Sequence, residues 1–183
     1  MITAACSESG LQNPNQPQPP PPVQGGGAPA AKGAKPAGKH APGSVTVGVF
    51  RESDTTFLLR NANTEGEAEI TFAFGEKGDL PVAGDWNADG ATGVGVYRPA
   101  EGKFYLRNAL SAGEPDVVVV FGGKDDLPLA GDWDANGTAT LGLFRPSDVA
   151  FWLRANNAEA PEVGKVPFGA ESDLPVVGNW DGK

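Results

Sequence analysis

The sequence has almost no cysteine or histidine to work with. Cys6 is the one cysteine and His40 the one histidine among 183 residues. A single thiol cannot close an intrachain disulfide, and cysteine-rich metal sites are excluded. A lone imidazole set among Pro, Gly, Ala and Lys removes most routes to a catalytic triad or a histidine-based metal centre. Basic residues are few as well: 14 Lys and Arg stand against 23 Asp and Glu, a formal net charge of −9. Phosphate binding needs clustered Lys and Arg, so no nucleic-acid partner is expected. An anionic membrane surface is equally unsuited. No apolar run approaches the roughly 18 residues that cross a bilayer as a helix.

What is present begins with an unusual N-terminal stretch. Thr3-Ala4-Ala5-Cys6 resembles the end of a bacterial lipoprotein signal, with small residues before a cysteine, although Thr3 stands where that pattern prefers Leu. The resemblance implies that residues 1–6 are the remnant of a signal and that Cys6 is lipidated. It also implies an extracytoplasmic location, at the cell surface or secreted, with any membrane attachment running through the lipid. Residues 7–42 are Pro, Gln, Gly, Ala and Lys with few apolar side chains. Such a segment cannot bury enough surface to offset the entropy of ordering, so it reads as a disordered tether.

Beyond the tether the chain repeats itself. Phe50, Tyr97 and Phe144 are spaced by 47 residues, each followed by an arginine (Arg51, Arg98, Arg145). Arg60, Arg107 and Arg154 keep that period, as do Phe74-Gly75, Phe121-Gly122 and Phe168-Gly169. Asp79, Asp126 and Asp173 and the tryptophans Trp86, Trp133 and Trp180 complete the register, with no insertion or deletion. An internal repeat of this kind divides residues 43–183 into 43–89, 90–136 and 137–183. Each copy holds four short stretches rich in branched and aromatic residues, for example "VGVYRP", "KFYLRN", "DVVVVFG" and "LPLAGDW", with Gly, Asn, Asp and Pro between them. No segment carries a helical period of useful length. The expectation is an all-β domain of three tandem four-stranded repeats, each stable only against its neighbours.

"FG", "DLPVAGDW", an Asp-rich loop and "VGVYRP" together resemble the FG-GAP/VCBS-type repeats of bacterial surface proteins, relatives of the blades of integrin-like β-propellers. The resemblance covers residues 43–183 and implies propeller-type blades. Propellers usually close with four to eight blades, so three leave open flanks. Two chains completing a ring of six, a sequence that is a fragment of a longer repeat protein, or a β-trefoil-like fold closed within one chain are the alternatives.

The loops after the GDW strands are candidate calcium sites. Asp85, Asn87 and Asp89 alternate before Gly90, and Asp132, Asp134 and Asn136 before Gly137; Asn179 and Asp181 begin a third. Calcium takes six to eight oxygens from such alternating positions. The family's loops carry a further acid at position nine, where this chain has Gly93 and Thr140. The same residues also suit a metal-free turn, because Asp and Asn bond their own backbone and Gly accepts positive φ. Any bound calcium is expected to be weak and structural.

Trp86, Trp133 and Trp180 read either as sugar-stacking platforms or as core packed between units. The six arginines are expected to lock onto the repeated aspartates Asp79, Asp126 and Asp173 in bidentate pairs. Every prominent acid recurs with the period, which suits structure better than a single catalytic centre, so no enzyme activity is expected. The expected function is a non-catalytic binding or adhesion module for a glycan or a surface protein. The alternative is a self-assembling protein, a homo-oligomer forming rings or filaments through pairing of blades between chains.

Overall fold

The structure, a computed structural model, describes residues 45–158 and 163–181. The expected signal remnant with Cys6, the tether 7–42 and the two ends of the repeated span lie outside the described residues. Those residues form an all-β fold with no α-helix among them. Three antiparallel sheets of three or four strands account for the strands, and neither a closed barrel nor a closed ring is formed among the described residues.

The first sheet contains β1 (Gly48–Arg51), β2 (Thr56–Leu59) and β3 (Ile70–Ala73). The second contains β4 (Leu80–Gly84), β5 (Gly93–Arg98), β6 (Lys103–Arg107) and β7 (Val117–Val120). The third contains β8 (Leu127–Gly131), β9 (Thr140–Arg145), β10 (Ala150–Arg154) and β11 (Val163–Pro167). Each runs as a meander, neighbours in sequence being neighbours in the sheet.

The sheets are offset from the sequence period. The LPVAG segment is not the fourth strand of its own copy; β4 pairs with β5, placing Leu80 opposite Tyr97 and Gly84 opposite Gly93. Likewise β8 pairs with β9, Leu127 opposite Phe144 and Gly131 opposite Thr140. The first two copies therefore hand their last strand to the next sheet. This corrects the expectation of four strands drawn from within each copy, and it leaves the first sheet with three. Proline is tolerated at Pro81 and Pro128 because β4 and β8 are edge strands, where a missing N–H faces away from the ladder.

The core forms where one sheet covers the next. Val94 and Val96 on one face of β5 pack with Phe57, Phe72 and Phe74 of the first sheet. The opposite face of the second sheet presents Val82, Tyr97, Phe104, Leu106 and Val119, and these are covered by Leu141 and Leu143 of β9. Leu141 and Leu143 are one period on from Val94 and Val96, so the same branched pair caps the aromatic face of the preceding sheet both times. Tyr97, Phe104, Leu141 and Leu143 lose essentially all their exposure. Burial of that kind stabilises by about 1.5–3 kcal/mol per side chain.

Candidate functional site

The arginines divide into two structural classes. Arg98, at the end of β5, forks onto Asp79 with Nε at 2.9 Å and Nη2 at 3.0 Å. Arg145 repeats the geometry on Asp126 at 2.9 and 2.8 Å. The aspartates are buried, 3% and 5% exposed, and each also accepts a backbone N–H, from Glu76 and Gly123 respectively. Strand is thereby tied to turn across the β4–β5 and β8–β9 pairs. The bond with Asp79 raises the Arg98 pKa above its already high value. Arg51, one period earlier, has no such aspartate and makes an exposed contact with Asp54 at 3.6 Å.

Arg60, Arg107 and Arg154 do something else. Arg107 donates to the carbonyls of Ser111, Ala112 and Glu114, so it holds its own β6–β7 loop. Arg60 does the same for Thr64 and Glu67, and Arg154 for Asn156 and Ala158. The expected Arg–Asp lock thus holds for Arg98 and Arg145 only. Arg154 is 4% exposed, and burial pushes its pKa down.

Of the three tryptophans that keep the period, Trp86 is core and Trp133 packs half-buried. Trp86 is 7% exposed and donates its indole N–H to the Val94 carbonyl at 3.1 Å. Trp133 is half-buried and donates to Leu141 at 3.4 Å. The glycine two residues earlier is required by the ring, since a Cβ on Gly84 would lie 2.8 Å from Trp86 and one on Gly131 2.6 Å from Trp133. Trp180, by contrast, is 78% exposed.

The Asp-rich loops are self-satisfied turns. In the first, Asp85 accepts the backbone N–H groups of Asp89 and Gly90 at 3.2 and 2.8 Å. Asn87 donates to Asp89 at 2.9 Å, and Asp89 accepts the Ala91 N–H at 2.8 Å. In the second, Asp132 accepts from Asn136 and Gly137 at 3.0 and 2.8 Å, and Asn136 donates to Asp134 at 2.9 Å. These bonds hold the carboxyls of Asp89, through Asn87 first, and of Asp132, through the Gly137 N–H first, below the usual carboxylate range. Ala88 and Ala135, at φ of 59° and 58°, show how tightly the chain turns here. Each loop offers two carboxylates and one amide, short of a calcium shell, and Gly93 and Thr140 add no acid. No group of three or more His, Cys, Asp or Glu side chains is gathered for a metal among the described residues. The donor set does not fit a calcium cage by itself. Asn179 and Asp181 lie at the end of the described chain.

One recess was not anticipated from the sequence. A cleft of about 380 Å³ between the first two sheets is lined by Thr55, Phe74, Glu76, Arg98, Tyr105 and Glu114 among others. The Arg98 guanidinium lies 4.5 Å from the Tyr105 ring centre, and Arg145 sits 5.1 Å from Trp152 one period later. The signal was the pair Tyr105 and Trp152 at one repeat position, obscured by Leu58 in the first copy. Glu101, bonded first to Lys103 and then to Arg98 and Tyr105, is held down to about 2.

No protein-family model, curated protein or solved structure matches the chain.

Proposed function

We propose that this chain is a non-catalytic, extracytoplasmic module that works by binding or adhesion, built of propeller-type blades like those of FG-GAP/VCBS-type proteins. The observation that carries the reading is the use of its charged groups. Arg98 with Asp79, Arg145 with Asp126 and the loop aspartates are each engaged in contacts that recur with the period. Recurring contacts serve architecture, whereas a catalytic centre is singular. Face-to-face stacking of successive sheets supports blades over a trefoil. In this reading Cys6 carries a lipid and residues 7–42 hold the domain away from the membrane.

The ligand surface is the Arg98–Tyr105 cleft, where an exposed aromatic edge beside fixed charges suits a glycan or a polar protein segment. Weak calcium binding at Asp85, Asn87 and Asp89 or at Asp132, Asp134 and Asn136, with water completing the shell that these side chains leave short, would stiffen the loop. A glycan array and a surface-protein array probed with the full chain test the reading. Saturable binding that weakens in Tyr105→Ala, measured at a temperature where circular dichroism shows that variant folded, is expected. Turnover of a glycoside substrate contradicts it.

A second reading, assembly between chains, is favoured by one observation: among the described residues the first sheet has three strands where its neighbours have four.

A further inference from the structure

Four separate features at the two ends of the described repeats are complementary. The first is strand pairing. The positions one period before β4 are 33–37, Gly-Ala-Lys-Pro-Ala, which lack the branched residues of an LPVAG strand. The edge of β1 equivalent to the β4 side of β5 is therefore uncovered among the described residues. Leu174–Gly178, "LPVVG", repeats the β4 and β8 motif but forms no strand, and Leu174 and Val176 are 82% and 73% exposed. The register common to β4–β5 and β8–β9 sets Leu174 opposite Phe50 and Gly178 opposite Thr46. Gly48 then stands where Gly95 and Gly142 stand. A Cβ on Gly95 would meet Val82 at 3.0 Å, and one on Gly142 would meet Leu129 at 3.4 Å. At Gly48 the nearest atoms all belong to β2, leaving that space for Val176.

The second feature is the capping pair. Val47 and Val49 are one period before Val94 and Val96, yet they are 59% and 62% exposed. On the third sheet the face such a pair covers is only partly closed: Phe144 is buried, but the rim around it is exposed. There Phe144, Phe151, Phe168, Leu174 and Pro175 line a recess of about 210 Å³, with Phe168 72% exposed.

The third is the indole. Trp86 and Trp133 donate to the carbonyls of Val94 and Leu141, the first members of the capping pairs. The matching acceptor for exposed Trp180 is the Val47 carbonyl. The fourth is charge. Asp173 receives the Ala170 N–H at 2.9 Å, as Asp126 receives Gly123, but no arginine among the described residues forks onto it. Arg51 is the arginine in register, and it is half-exposed beside Asp54.

We propose that two copies of this chain join head to tail, the Leu174–Gly178 segment of each adding as the edge strand beside β1 of the other. One placement satisfies all four features: the first sheet of one copy takes the position that would follow the third sheet of its partner. Val47 and Val49 then seat on the Phe144–Phe151–Phe168 face, Trp180 reaches Val47, and Arg51 forks onto Asp173. Carried out reciprocally, it closes six sheets into a ring, within the range at which such rings close. This inference rests on the assembly reading and is independent of any glycan or protein ligand.

The test is light scattering of the full chain after size exclusion. The mass expected is that of two chains. Val49→Lys, which places an ammonium against the aromatic face, and Arg51→Asp, which sets two carboxylates together, each weaken association at least about tenfold. Arg51→Asp combined with Asp173→Arg restores it. Both variants alter exposed side chains, and unchanged circular dichroism verifies that they fold. A monomer at high concentration overturns the assembly reading altogether. A two-chain mass untouched by Val49→Lys and Arg51→Asp overturns this placement alone, as does a failure of the charge exchange to restore association. A mass above two chains overturns the closed pair.

Discussion

Breaking the lock between Arg98 and Asp79 should cost several times what any exposed ion pair costs, and the two halves of the lock should not cost the same. The Asp79 side chain is 1% exposed and that of Arg98 15%. Removing one member of a buried pair typically costs about 3–5 kcal/mol, because the survivor is left charged and poorly solvated. In Asp79→Ala the guanidinium keeps Glu76 at 3.0 Å and Glu101 at 3.1 Å, so the loss falls near the lower end, about 3 kcal/mol. In Arg98→Ala the Asp79 carboxylate keeps only the Glu76 N–H. The stacking of Arg98 on Tyr105, worth about 0.5–1 kcal/mol, goes as well, and the total reaches about 5 kcal/mol. Lys103→Ala is the control: its 2.7 Å contact with Glu101 lies between side chains that are both 36% exposed, and its loss should cost far less than either half of the lock. Urea unfolding at one fixed protein concentration measures all three. The apolar double variant Asp79→Leu, Arg98→Met should recover much of the loss, since neither charge is then stranded. If Arg98→Ala costs no more than Lys103→Ala, the assignment of the repeated arginine to structure is wrong.

Three further outcomes follow from the same geometry. Burial, and next the Asp126 carboxylate, push the Tyr97 phenol up to about 12 from its ordinary value near 10. Its contribution is present below pH 10 and lost as pH rises from 10 to 12, about 3 kcal/mol in all; alkaline melts should show a step that Tyr97→Phe lacks. Trp86→Ala should cost about 3–5 kcal/mol in thermal or urea unfolding, whereas Trp152→Ala, half-buried with its indole N–H unpartnered, should cost clearly less. Calcium at a few millimolar should stabilise by no more than about 1 kcal/mol in calorimetry, as a site with millimolar affinity would. A gain of several kcal/mol contradicts the self-satisfied loop.

The sequence made the period, the strand positions and the all-β class readable, because branched and aromatic runs between Gly, Asn, Asp and Pro recur without slippage. It did not reveal which sheet receives the LPVAG segment. A repeat reads the same wherever the unit is cut, and the turns on both sides of β4 are short enough for a hairpin. Only pairing shows that β4 belongs with β5. The arginines were half legible. Opposite charge pointed to the aspartates, which serves Arg98 and Arg145, but the backbone carbonyls that Arg60, Arg107 and Arg154 hold leave no mark in a sequence. Trp86 proved to be core and Trp133 to pack half-buried, because each glycine of the GDW motif leaves room for a ring, a contact visible only in three dimensions. The Arg98–Tyr105 cleft escaped notice because its aromatic position is leucine in the first copy.

Cross-strand nuclear Overhauser effects around β4 test the handing-on of strands most directly. Contacts joining Val82 to Gly95 and Ala83 to Val94, with none joining β4 to Ile70–Ala73, are the predicted result. Contacts from Leu80–Gly84 to β3 instead of β5 would contradict it.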